Sequence, residues 1–327
     1  MADCNLVLIH RGPEYLRDFE QIARRIVAID PKIAVTAVGP RVKSVMNDAE
    51  WQLPTLTVAF LAKFEGSIRR GKVLMNRQIH KPGQHRIFAE AGLPSPPIAH
   101  FAPGLKLDPF LFGEFVVLKP IDPNFASYGR GVQLFRRRRI ETMGWQDFPP
   151  AHFIHRDRKG FIVQRFIDIG PMIPLYRVLT LFGEPLYCWL AREKVPRPPI
   201  AGTDAEIENL RITNTGDFRE RIRCNDGDVL DLGRRVGHAF PDIPLLGMDI
   251  MREERTGKLF VLECNPGGNT WHFSSKMTAG IRQQMGGASL VGERKGELLG
   301  RQMLIDQFGA FDRAAEVLVR KTRELAS

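Results

Sequence analysis

The sequence predicts a mixed protein, α/β at its amino-terminal end and α+β beyond. Three observations carry this. The first 60 residues alternate strand, helix and strand; an apolar hairpin pattern surrounds Gly183-Glu184; and two apolar runs, 245–251 and 259–264, flank the polar stretch 252–258. With 327 residues, 43% of them apolar, the chain can bury a large core and has the length of two or three domains.

Residues 5–10 are β-branched and Leu-rich and stop at Gly12-Pro13, where the proline suits a first helical turn. Leu16, Phe19, Ile22, Ala23, Ile26 and Val27 then recur at helical spacing, one apolar stripe against a sheet. Strands over 33–38 and 56–60 complete a β-α-β opening, which implies a small parallel sheet. Residues 81–92 read as a helix stopped by Gly92 and by Pro94, Pro96 and Pro97. Further strands are expected at 115–118, 132–135, 161–167, 176–182 and 185–191. Leu230, Arg234, Val236 and Phe240 mark a helix before the hairpin, and 311–325 is a last amphipathic helix with Phe311, Ala314, Ala315, Leu318 and Leu325 on one face. There is no internal repeat.

Composition excludes several classes. No run of 18 apolar residues exists, so no membrane span is expected. The opening MADCNLVLIHRG lacks the pattern of a signal peptide and reads as a first strand. Cys4, Cys188, Cys224 and Cys264 are scattered without C-x-x-C, which predicts a reduced, cytoplasmic protein with buried thiols and no structural zinc. A net charge of +10 and a pI near 9.7 favour anionic partners without choosing among them. No G-x-G-x-x-G follows the first strand and no Walker A motif occurs.

Two stretches carry chemistry. If the hairpin 247–265 folds about Thr256, Asp249 lies opposite Glu263, and Asn265 shares the face of Glu263. Met248, Ile250, Leu262 and Cys264 then face a core. Two carboxylates and an amide on one face suit Mg²⁺, although an ordinary hairpin with a wet polar face has the same pattern. The second stretch is VVLKPIDPNFASYGRGV, where Lys119 ends an apolar strand and Ser127, Gly129 and Gly131 follow in a loop. Glycines let backbone N–H groups approach phosphate oxygens; alone, the stretch equally describes a plain hairpin.

In chain order, these pieces resemble the ATP-grasp superfamily over roughly residues 75–270. A lysine precedes a helix ending A-G-L-P; V-V-L-K-P with its glycine loop follows; then come V-Q-R-F-I, Y-R-V-L with an arginine after the next strand, and G-M-D-I with L-E-C-N-P. The resemblance implies an amino-terminal α/β domain (1–78), a lobe carrying the lysine helix and phosphate loop (79–165), and a second lobe with the metal hairpin and last helix (166–327), the two lobes clamping ATP.

It also implies roles. Lys81 and Lys119 are the two ATP lysines, and Ser127, Gly129 and Gly131 form the phosphate loop. Gln164 opens the hinge where the family usually has an acid; it can still bond adenine, which the backbone of Arg165 and Ile167 would read. Asp168 is the candidate for the ribose hydroxyls. Arg177 and Arg192 would reach the γ-phosphate or substrate carboxylate, and Asp249, Glu263 and Asn265 would hold two Mg²⁺, with Mn²⁺ an alternative. His80 replaces an acid that often precedes the first lysine. Asn214 and Gly216, in R-I-T-N-T-G, resemble the loop after the second arginine, and His272 lies where the acceptor is often met.

The implied activity is an ATP- and Mg²⁺-dependent ligase that activates a carboxylate as an acylphosphate and joins it to an amine. Its nearest flavour is the branch containing glutathione synthetase and glutamate-adding peptide ligases. Its partners would be a small-molecule or peptide carboxylate and an amine acceptor, without membrane or nucleic acid, in a chain compatible with a homo-oligomer. A phosphotransferase on the same fold, or a non-catalytic nucleotide-sensing or nucleic-acid-binding protein, is the rival reading. The run R-R-R-R at 136–139 is expected to be a solvated edge, with an acidic peptide or nucleic acid as the other choice; Trp271 reads as packing and His85 as solvated.

Overall fold

A computed structural model describes residues 1–122, 129, 131–156, 160–214, 220–268 and 309–327, apart from the side chains of Glu14 and Arg221. The chain opens with β1 (Cys4–Ile9), α1 (Leu16–Ile29), β2 (Ile33–Val38) and β3 (Thr55–Ala59), as expected, and adds β4 (Lys72–Met75). They form a parallel sheet in the order β2-β1-β3-β4. Every residue of β1 is buried because both faces are covered. Leu6 and Leu8 meet Phe19, Ile22 and Ile26 of α1; Val7 and Ile9 meet Val45 and Trp51 on the other side. β4 escaped the sequence reading because it is a four-residue, partly exposed edge strand, too short and too mixed in polarity for an apolar run.

Next come α2 (Lys81–Glu90), β5 (Ile98–His100), α3 (Pro109–Phe112), β6 (Phe115–Pro120), β7 (Gln133–Arg136), α4 (Arg137–Ile140) and β8 (Phe161–Arg165). Their antiparallel sheet runs β5-β8-β6-β7. Its inward side chains, among them Val116, Leu118, Phe135, Phe161 and Val163, close a core with Phe101, Phe112 and Phe148. The remaining elements are β9 (Leu175–Leu181), β10 (Glu184–Arg192), α5 (Asp204–Glu208), β11 (Glu220–Cys224), α6 (Gly227–His238), β12 (Leu245–Arg252), β13 (Leu259–Pro266) and α7 (Ala310–Leu325). The third sheet is antiparallel, in the order β11-β10-β9-β12-β13. The β9–β10 hairpin turns on Phe182 and Gly183, both at positive φ (50° and 83°), the signature of a two-residue type I′ turn.

Two helices sit elsewhere than the sequence placed them. Helix α2, grouped by sequence with the phosphate-loop lobe, packs Phe88 into the core of the third sheet beside Val178, Met248 and Cys264. Helix α7, grouped with the metal-hairpin lobe, lays Phe311, Ala314, Ala315 and Leu318 into the core shared with α1 and β1. Arg25 pairs with Asp312 at 2.5 Å, and Arg323 with Asp30 at 2.8 Å, along that same seam. Apolar periodicity shows which face of a helix is buried and is silent about the sheet that buries it.

A strap crosses the other way. The segment bearing α5 leaves β10 and lays Ile207 on Val117 and Leu134 of the second sheet. Arg136 pairs with Asp204 at 2.7 Å and donates to the Gly202 carbonyl at 2.8 Å, and Arg139 reaches Glu208 at 3.4 Å. Arg137 ties its own lobe, donating to the Gly113 carbonyl and to Glu141. The expected solvated edge is thus mostly internal wiring, and Arg138 is the exposed member of the run.

Candidate nucleotide and metal site

The hairpin folds as its spacing predicts: Asp249 stands opposite Glu263, and Gly247 opposite Asn265. On the other side of β12, Asp249 also stands opposite Arg177 of β9. Directly opposed residues of neighbouring strands share a face, so the sheet lines up Arg177, Asp249 and Glu263 in one row. A β-bulge interrupts the hairpin just below it, because Ile250 pairs with Val261 and Leu262 is the extra residue. The bulge corrects one expectation. Val261, not Leu262, enters the core with Ile250 and Cys264, while Leu262 is half-buried.

Electrostatics in the row are tight. Arg177 Nη2 donates to Asp249 Oδ2 at 3.1 Å, and its Nε lies 2.6 Å from Oδ1 as an ion pair. Asp249 is 4% exposed. Burial pushes its pKa up to about 7, Arg177 pulls it back, and Glu263 beside it adds to the rise. Such a carboxylate gains from a second cation. Glu263 faces Lys81 Nζ at 3.9 Å. Among the described residues no three His, Cys, Asp or Glu side chains gather as a metal site; the donor set here is two carboxylates and the amide of Asn265, an all-oxygen set of the kind that suits Mg²⁺.

The cations beside this row come from β6 of the second sheet and from α2, which packs on the third sheet. Lys119, at the end of β6, is 5% exposed, and its Nζ donates to Gln164 Oε1 at 2.7 Å. Burial pushes its pKa down to about 7, against the pull of Glu263 and Asp249 and with the push of Lys81. Lys81 opens α2, where the helix dipole and free N–H groups also favour an anion. His80 caps that helix, its Nδ1 accepting from the Gly83 N–H at 3.1 Å, so it has a structural use where an acid was expected.

Helix α2 also supplies residues the sequence reading missed. Gln84 bonds both backbone groups of Cys264, accepting from its N–H at 2.7 Å and donating to its carbonyl at 2.9 Å. β13 is the edge strand of its sheet, so those groups would otherwise be open, and Gln84 fixes the backbone between Glu263 and Asn265. His85, read as solvated, is 8% exposed and lies against Gln164, with Nε2 3.3 Å from Nε2. The available signal was spacing, since Lys81, Gln84 and His85 fall at i, i+3 and i+4 on one helical face.

The other expected residues separate. The Gln164 amide is 2% exposed and already has protein partners at both ends, Lys119 and His85, which replaces the expectation of an adenine contact. Arg165 pairs with Glu253 at 3.2 Å, and its N–H donates to the Pro97 carbonyl. Ile167 is buried beside it. Asp168 accepts from Arg197 at 2.6 Å and from the Gly170 N–H. Arg192 pairs with Glu220 at 2.8 Å, three residues along β10 from the partner of Arg177. Asn214 donates to the carbonyls of Ile173 and Ala191 at 2.7 Å each, tying the start of β9 to the end of β10. Gly129 and Gly131 have φ of 72° and 66°, where a side chain would be strained, and Gly129 lies against Thr213. Ser127, Gly216, Trp271 and His272 lie outside the described residues.

The described residues thus form one parallel sheet and two antiparallel sheets, with Lys81 3.9 Å from Glu263 and Lys119 bonded to Gln164. No family model matches the chain, and no curated protein sequence matches it. Among solved structures it is similar to the macrocyclase MdnC from Microcystis aeruginosa MRC bound with precursor peptide MdnA, at 11% identity and a TM-score of 0.49, over 97% of this chain and 99% of that one. It is similar also to D-cycloserine synthetase DcsG, at 14% identity and a TM-score of 0.45, over 96% and 99%. A third likeness is to D-alanine–D-alanine ligase from Bacillus anthracis complexed with ATP, at 10% identity and a TM-score of 0.40, over 98% and 99%. No helix among the described residues is long and apolar enough to cross a membrane.

Proposed function

We propose that this chain is an ATP- and Mg²⁺-dependent ligase that activates a carboxylate as an acylphosphate and joins it to an amine. The observation that carries the reading is the row Arg177, Asp249, Glu263, with Lys81 3.9 Å from Glu263 and the buried Lys119 under the electrostatic pull of both carboxylates. Mg²⁺ held by Asp249, Glu263 and Asn265 would neutralise phosphate oxygens as charge shifts to the leaving ADP. Lys81 and Lys119 would hold the triphosphate, and the glycines at 129 and 131 let the loop approach it. The substrate carboxylate attacks the γ-phosphorus, giving ADP and an acylphosphate; the amine then displaces phosphate and loses a proton. Arg177 would steady the carboxylate and the oxyanion that forms on it, a task that needs donors and no covalent enzyme intermediate. Asp249 must exchange part of its Arg177 contact for metal, which frees the guanidinium for substrate.

The test is ADP release from Mg-ATP with pooled carboxylic acids, amino acids and short peptides, beside Lys119→Ala and Glu263→Ala. ADP that requires both a carboxylate and an amine, and is lost in both variants, supports the ligase. ADP formed with a non-carboxylate acceptor alone would point to phosphotransfer, and absence of Mg-ATP binding would overturn the proposal.

A further inference from the structure

Lys119, Gln164 and His85 come from β6, β8 and α2 and meet side chain to side chain. They are 5%, 2% and 8% exposed. A lysine ammonium has donors only, so the amide oxygen of Gln164 must be the end that faces it. The amide nitrogen is thereby turned toward His85. That nitrogen is also a donor only, so His85 Nε2 must accept and the ring proton must sit on Nδ1. Hydrogen bonding alone therefore makes His85 a neutral imidazole of one tautomer. Its surroundings agree: burial, then Lys119 and Lys81, push its pKa down to about 3. The ring is held edge-on to Phe88, with centroids 5.6 Å apart.

Resting on the nucleotide-site reading above, we propose that His85 is a positioning residue: it fixes the Gln164 amide, and through it the Lys119 ammonium, for a nucleotide phosphate. The amide and imidazole carry no charge, so they orient the lysine without pairing it with an anion. Removing the acceptor at residue 85 leaves a buried amide N–H₂ without its partner. The amide then turns or shifts to find one, and Lys119 loses its support.

The test is Mg-ATP binding by calorimetry on the full chain, with thermal unfolding of each variant beside it. His85→Phe keeps a ring of similar size and removes the acceptor. It should weaken Mg-ATP binding by about tenfold to a hundredfold, the range for one buried polar group left unpaired. His85→Gln, which again offers an oxygen, should recover most of the affinity. His85 acts through the Gln164 amide, so the double variant His85→Phe/Gln164→Leu should bind no more weakly than Gln164→Leu alone. A purely structural role for His85 predicts losses that add. Unchanged binding by His85→Phe, or additive losses in the double variant, would overturn the inference while leaving the nucleotide site intact. Failure of the unaltered protein to bind Mg-ATP would overturn both. Should His85→Phe not fold, ¹⁵N-histidine spectra of the unaltered protein decide: a neutral Nδ1–H tautomer at pH 7 supports the proposal, and an Nε2–H tautomer or an imidazolium overturns it.

Discussion

The two sheets that carry the candidate site solve the problem of buried charge in opposite ways. On the five-stranded sheet, charge meets charge: Asp249 is held by Arg177 at 2.6 Å and Glu263 faces Lys81. On the four-stranded sheet, the hydrogen-bond partner of Lys119 among the described residues is a neutral amide backed by a neutral imidazole. The first set is paired with cations before any ligand arrives, so in the proposed function a metal would displace or share an existing partner. The second has no anionic hydrogen-bond partner among the described residues, and in the same proposal a phosphate would complete it. Pairing stabilises the carboxylates at the cost of exchange, whereas the amide leaves Lys119 ready and easily deprotonated.

The hardest break of this comparison is Asp249→Ala or Glu263→Ala. Either should reduce ADP release by on the order of a hundredfold to a thousandfold, the scale of losing one transition-state electrostatic group. Excess Mg²⁺ should restore part of the activity of Asp249→Ala; an unchanged Mg²⁺ requirement in that variant would show that the row does not hold the metal. Arg177→Ala comes next. It leaves a buried carboxylate without its cation and should cost about 3 kcal/mol of stability at pH 8, where Asp249 is ionised, and less at pH 5, where the acid is neutral. Equal losses at both pH values in urea melts would contradict the raised pKa.

The four-stranded sheet has its own signature. Lys119 titrates near 7 in the free protein, and a bound triphosphate favours its charged form, so binding between pH 7.5 and 9 should take up a proton. Affinity should then fall by up to about tenfold per pH unit through that window. Calorimetric heats that do not vary with buffer ionisation enthalpy would remove the claim. Gln84→Leu is milder: it opens both backbone groups of Cys264 between the two proposed metal ligands Glu263 and Asn265, and should raise the Mg²⁺ requirement several-fold with little change in ATP binding without metal. The smallest effect belongs to Arg136→Ala, which cuts a partly exposed pair of the strap worth less than about 1 kcal/mol, read as a small drop in melting temperature.

Much of this site was legible because sheets translate spacing into geometry. The Asp249–Glu263 pairing followed from counting about Thr256, and Lys119 from a strand end. What was hidden depends on contacts between distant elements. The bulge at Leu262 obeys no local rule, and His85 looks like any helical histidine until β8 and β6 close over it. The placement of α2 and α7 was unreadable for a related reason: Phe88 and Phe311 declare that they are buried, and nothing nearby in sequence says where.

The position of α7 reaches into the birth of the protein. Its Phe311 and Leu318 complete the core built on β1 and α1, and the Ser327 carbonyl accepts from the Thr55 N–H at 3.2 Å. The domain made before the two lobes is therefore finished by a helix made after them. Until then, its apolar helix face is without its cover while the two lobes are made. The order of synthesis and the order of completion run in opposite directions, and a nascent chain stalled before residue 310 lacks the segment that seals its own amino-terminal core.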